Sequence, residues 1–121
     1  MKQENIVLDK SFAFAVRAVK LYQYLCDQKR EYVLSKQLLR SGTSIGANVN
    51  EAQAAQSTND FIAKMSIASK EARESKYWID LLMQTSFLDA NDQHTQTLQS
   101  DISELIKILT SIIKTTQERK K

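Results

Sequence analysis

The side chains best equipped for chemistry are few in this chain and poorly spaced for it. There is one histidine, His94, and one cysteine, Cys26. A di-iron helical bundle needs inward glutamates and a Glu-x-x-His step on two helices, but Asn91 stands three positions before His94. His94 lies among polar residues without flanking features and reads as an exposed, bland imidazole rather than a phosphotransfer group. Cys26 falls on an apolar row, where a buried structural thiol is expected; a nucleophile needs a base or positive surroundings. Glu71 and Glu74 have the spacing of an acid/base pair, yet Lys70, Arg73 and Lys76 surround them, and a salt-bridged surface is the simpler outcome. Gly42 and Gly46 lack the Lys-Ser/Thr and the preceding strand of a phosphate loop. The expectation is no catalytic residue, no cofactor, no metal and no small-molecule substrate.

What remains is architecture. Proline is absent and glycine occurs twice in 121 residues, so the usual helix breakers are missing almost everywhere and long helices follow. The 42% apolar and 26% charged content is that of a folded globular chain, and the net charge of +3 is mild for a dedicated nucleic-acid domain. A lone cysteine cannot close an internal disulfide, which fits a reducing compartment and predicts a cytoplasmic protein. The apolar patch from Phe12 to Val16 is bounded by Lys10 and Arg17, and no run approaches the ~18 apolar residues that span a bilayer. One domain is expected over residues 1–121.

Four amphipathic segments follow in order. The first, Asp9 to Gln28, carries a seam of Phe12, Ala15, Val19, Tyr22 and Cys26 beside a second apolar row of Phe14, Ala18, Leu21 and Leu25; so wide a stripe suggests a further partner. The second starts at Ser35 as N-cap and runs to Gln56. Ser57 and Asp60 are spaced as a capping box for the third, Thr58 to Thr85. Its seam of Phe61, Met65, Ala68, Ala72, Ser75, Ile79 and Leu82 keeps heptad steps, with Ile67, Trp78 and Leu81 on a second row suited to a subunit interface. The fourth opens after Asp89-Ala90-Asn91-Asp92 and buries Leu98, Ile102, Leu105, Leu109 and Ile112. Short connections between such helices predict an all-α, antiparallel, up-down-up-down four-helix bundle.

The most unusual stretch is Leu39-Arg40-Ser41-Gly42-Thr43-Ser44-Ile45-Gly46-Ala47-Asn48-Val49-Asn50-Glu51-Ala52. Each mid-helix glycine costs about 1 kcal/mol relative to alanine, and close approach of another helix backbone is the simplest compensation. The small centre of the third helix, Ala68 and Ala72, makes the second and third helices the expected tight pair with Gly42 and Gly46. Asn48 and Glu51 either join a polar network that fixes register or subunit contact, or lie at the rim. In an up-down bundle Lys2, Lys10, Lys114, Arg119, Lys120 and Lys121 gather at one end, a candidate nucleic-acid contact partly cancelled by neighbouring acids.

That glycine-bearing stretch, followed by Asp60-Phe61-Ile62-Ala63-Lys64-Met65-Ser66-Ile67-Ala68-Ser69-Lys70-Glu71-Ala72-Arg73-Glu74-Ser75-Lys76-Tyr77-Trp78, resembles the 23S rRNA intervening-sequence protein family, also labelled ribosomal-protein-like. The resemblance covers essentially the whole chain. It implies a bacterial cytoplasmic four-helix bundle assembling into a ring-like homopentamer. The family is also similar to the accessory variability protein of diversity-generating retroelements, which binds a reverse transcriptase and nucleic acid. The resemblance carries over no catalytic residue. The expected function is a non-enzymatic, homo-oligomeric scaffold or adaptor, with RNA, DNA or a nucleic-acid enzyme as candidate partner; the alternative is direct RNA or DNA binding or association with the ribosome.

Overall fold

A computed structural model describes residues 5–120 and contains four α-helices, with no strand among those residues. These are α1 (Ile6–Lys29), α2 (Leu34–Ala52), α3 (Thr58–Gln84) and α4 (Gln93–Lys120). Each helix packs on its neighbours in a closed order: α1 on α2, α2 on α3, α3 on α4, and α4 on α1. The backbones of α1 and α3, like those of α2 and α4, stay apart among the described residues. Side-chain pairs tie the helices at several levels: Ser41 with Ser75 at 2.9 Å, Glu51 with Lys64 at 3.0 Å, and Lys10 with Glu104 at 3.2 Å.

With so little glycine and proline, the chain ends its helices by other means. Asn5 caps α1, its side-chain oxygen accepting from the Leu8 N–H. At the other end Arg30 adopts the left-handed conformation (φ 54°) that glycine usually supplies, and the Glu31 N–H bonds back to the Leu25 carbonyl. Ser86 does the same after α3 (φ 68°), where Phe87 and Leu88 donate to the Leu82 carbonyl.

The expected N-cap of α2 is corrected. Ser35 lies inside the helix and is buried. The Glu31 carboxylate takes the capping role, accepting from the N–H groups of Val33, Leu34 and Ser35, while the Ser35 hydroxyl donates to the Glu31 carbonyl. A carboxylate reaching three orphan donors outcompetes a single hydroxyl. The far end also differs, since α2 stops at Ala52 and not Gln56: Gln53, Ala54 and Ala55 tighten into bonds three residues back. Ser57 caps α3 through the Asp60 N–H, as its spacing indicates, while Asp60 reaches back to the Gln56 N–H.

One apolar cluster joins all four helices. The α3 seam is buried from Met65 through Leu82 with Phe61 half-buried, and α4 buries Leu98, Ile102, Leu105 and Leu109 with Ile112 half-buried. On α1 the two apolar rows exchange roles. Phe14, Ala18 and Leu25, with Val7 and Ser11, face the core, whereas Phe12 (70% exposed), Val16 (40%) and Val19 (39%) face outward. The inward row contains the smaller residues that admit a neighbouring backbone, and α2 takes advantage of that.

Candidate interaction surfaces

Gly42 and Gly46 lie against α1, which corrects the expected pairing of α2 with α3 at these positions. A Cβ on Gly42 would stand 2.8 Å from the Ala18 Cβ and 3.3 Å from Phe14 Cε2. A Cβ on Gly46 would stand 3.2 Å from the backbone oxygen of Ser11. Ordinary carbon contacts are about 3.5–4.0 Å, so both sites are filled by α1 to the limit that glycine allows. Ala68 and Ala72 are fully buried on α3. Nearby, α2 and α3 meet through the Ser41–Ser75 hydroxyl pair. Small residues permit close approach but do not name the neighbour.

The polar link between α2 and α3 centres on Arg40. Its guanidinium donates to Glu71 at 3.3 Å and to Glu74, and the Trp78 indole N–H donates to the same Glu74 carboxylate at 3.0 Å. The Trp78 indole and then Arg40 hold the Glu74 carboxyl below the usual carboxylate range, and the Glu74 bond raises Arg40 in turn. The salt-bridged character of Glu71 and Glu74 therefore comes from across the helix pair rather than from neighbouring lysines, and Glu71 is largely buried. No local spacing marks Arg40, because its partners follow 31 and 34 residues later. Tyr77 stacks edge-on against Trp78, with ring centroids 5.0 Å apart, and is itself exposed.

Among the described residues Asn48 and Glu51 share no network. The Asn48 amide donates to the carbonyl and hydroxyl of Ser44 on its own helix, and Glu51 pairs with Lys64, raising that lysine. Three residues apart on a helix, the two side chains could lean together, but each finds another partner, Ser44 for Asn48 and Lys64 for Glu51. Of the basic residues, Lys2 and Lys121 lie outside the described residues. Lys10 is engaged by Glu104, which removes it from an open basic patch. Lys114, Arg119 and Lys120 are exposed on the last turns of α4.

Cys26 is half-buried rather than sealed in the core, and its thiol beside the Tyr22 hydroxyl raises that phenol. His94 is exposed. Its backbone carbonyl accepts from Arg17, whose guanidinium also pairs with Asp101 at 2.8 Å. No cluster of three or more His, Cys, Asp or Glu able to hold a metal occurs among the described residues, and no described helix is long and apolar enough to cross a membrane.

Two kinds of feature remain, exposed apolar faces and a cavity. One face is the outward stripe of α1, Phe12, Val16 and Val19, at i, i+4 and i+7. The outer face of α3 carries a second, with Ile67 and Tyr77 exposed beside half-buried Trp78 and Leu81. Since α1 and α3 each pack on α2 and α4 with their own backbones apart, they are diagonal in the closed order, and their outward faces lie on opposite sides of the four helices. The other feature is a cavity of about 390 Å³ where the second half of α1 meets the α3–α4 connection and the start of α4. Sequence spacing gave no sign of it, because its walls come from three separate segments.

A model of the 23S rRNA-intervening sequence protein family matches residues 3–111. The chain belongs to that family. Among solved structures, this family member is similar to a crystal structure of a protein of unknown function from the S23 ribosomal protein family of Bacteroides thetaiotaomicron. The two are 51% identical, the match covers 89% of this chain and 98% of that one, and the TM-score is 0.85. No functionally curated protein matches the chain.

Proposed function

We propose that this intervening-sequence family member is a non-enzymatic cytoplasmic scaffold or adaptor. Its helices form an antiparallel, up-down-up-down bundle, and five copies close into a ring. The observation that carries the reading is the pair of apolar faces on α1 and α3. A soluble monomer rarely leaves several large apolar side chains aligned on a helix face. Two different faces on opposite sides of one chain suit a head-to-tail contact, the kind that closes into rings, better than a two-fold contact of one face with itself. The family resemblance supplies the number five. Pairing of Arg40 with Glu71 and Glu74, and of Glu51 with Lys64, supports opposite directions for α2 and α3. Light scattering tests the assembly: five copies of 13.8 kDa give about 69 kDa, and a mass near 13.8 kDa overturns it.

A second reading, direct RNA or DNA binding, is favoured by exposed Lys114, Arg119 and Lys120, none of which forms an ion pair among the described residues. A ring would repeat this weak patch around its axis. Filter binding at two salt concentrations separates the readings. Phosphate contact predicts binding that weakens steeply with salt, and no binding at low salt removes it.

A further inference from the structure

We infer that the cavity between α1 and the α3–α4 connection is a binding site for an amphipathic organic anion, a flat or chain-like apolar body bearing a carboxylate or phosphate. Its volume of about 390 Å³ falls within the roughly 300–1,000 Å³ of small-molecule sites. The apolar floor comes from Leu21, Leu88 and Leu98, with Tyr24 and Phe87 at its sides. Such a floor receives the apolar body of a ligand and gives water nothing to bond.

The polar groups are unevenly committed. Of the three cations lining the cavity, Arg17 is held by Asp101 and the His94 carbonyl. Lys20 and Lys29 form no ion pair among the described residues. The two carboxylates at the rim each accept one backbone N–H, Asp89 from Asn91 at 2.9 Å and Asp92 from His94 at 3.0 Å, so Asp92 caps the start of α4. Thr95 adds an independent sign. It is only 4% exposed, lines the cavity, and takes part in no side-chain hydrogen bond among the described residues. Yet no fully enclosed side-chain polar atom there lacks a partner, so the Thr95 hydroxyl opens on the cavity and is available to a ligand oxygen. Lys20 and Lys29 on the α1 side, neither held by a carboxylate among the described residues, and the Thr95 hydroxyl on the α4 side select an anionic head.

The test is a titration of the full chain with 1-naphthoate, followed by amide chemical shifts and calorimetry at low salt. The aliphatic anion octanoate tests whether the apolar body must be flat, and 1-naphthylmethylamine tests the sign of the charge. The site predicts naphthoate or octanoate binding at about 1 mM or tighter, with shifts confined to residues around Leu21, Tyr24, Thr95 and Leu98. The amine should bind at least tenfold more weakly. The double substitution Lys20→Ala/Lys29→Ala should weaken the anion at least tenfold while leaving the helical circular dichroism unchanged, and Thr95→Val should weaken it severalfold. If the double variant melts differently, the single substitution Lys20→Ala provides the same comparison. Absence of binding by both anions, equal binding of the amine, or undiminished binding by the folded lysine variant overturns the assignment.

Discussion

Replacing Gly42 with alanine sets two known effects against each other at one site. On an unobstructed helix the change returns about 1 kcal/mol of helix propensity. Here the new methyl would lie 2.8 Å from the Ala18 Cβ, a group fixed to the α1 backbone that cannot swing away. Phe14, at 3.3 Å, closes the other side. Relief requires α1 and α2 to separate by several tenths of an ångström along a buried contact, and overpacking of this kind costs about 1–3 kcal/mol. Because the distance is well inside ordinary contact, the upper half of that range applies, leaving a net loss of about 1–2 kcal/mol after the propensity gain. For a chain of this size that lowers Tm by about 4–8 °C. Thermal melts followed by circular dichroism at one fixed protein concentration measure it. The pairing is then tested by adding Ala18→Gly to the Gly42→Ala chain, which moves the methyl from one helix to the other. A double-mutant cycle should show a favourable coupling of about 1–2 kcal/mol, and Ala72→Gly in the same background should show none. If Gly42→Ala instead raises Tm by the ~4 °C that propensity alone predicts, the glycines do not mark a helix contact.

Removing the carboxylate that caps α2, by Glu31→Ala, should cost about 1–2 kcal/mol near neutral pH. Burial pushes the Glu31 carboxyl up, but the Leu34, Ser35 and Val33 N–H groups more than offset it, so it titrates below the usual range. A depressed folded value contributes stability above the unfolded one, and that contribution disappears as pH falls through the folded value. The gap between the two chains should therefore close on acidification below about pH 4; a gap constant with pH would contradict the cap. Arg40→Met leaves the largely buried Glu71 without its cation and should destabilise the chain by about 1–2 kcal/mol, discounted for the half-exposed guanidinium. Denaturant melts should show Glu71→Gln recovering part of that loss in the Arg40→Met background, and no recovery would place the cost elsewhere.

The parts of this fold visible in the amino-acid pattern are those where periodicity alone decides burial. The heptad steps of α3 and α4 specify one face each, and that face is the core. On α1 two rows are apolar, so periodicity could not choose between Phe12-Ala15-Val19 and Phe14-Ala18-Leu25. The choice is made by α2, whose glycines require the small Ser11 and Ala18 opposite them. Gly42 and Gly46 predict close approach, and small residues on α1 and α3 qualify equally as neighbours; α2 packs most extensively on α3, yet the glycines themselves meet α1. Ser35 has the right residue type for an N-cap and lost to a carboxylate four residues earlier, a competition that residue preference does not register. The Arg40 cluster and the cavity at the α3–α4 end are built across long sequence separations, where local spacing carries no information.

The central claim is that the outer faces of α1 and α3 meet head to tail between copies. Phe12→Glu spoils one face, and Ile67→Glu spoils the other. Each variant alone should run in native mass spectrometry as a monomer of about 13.8 kDa. Mixed in equal amounts, they retain one intact α1 face and one intact α3 face between them, so the account predicts a heterodimer of two 13.8 kDa chains that grows no further. A mixture that stays monomeric, or variants that assemble as the native chain does, would contradict it.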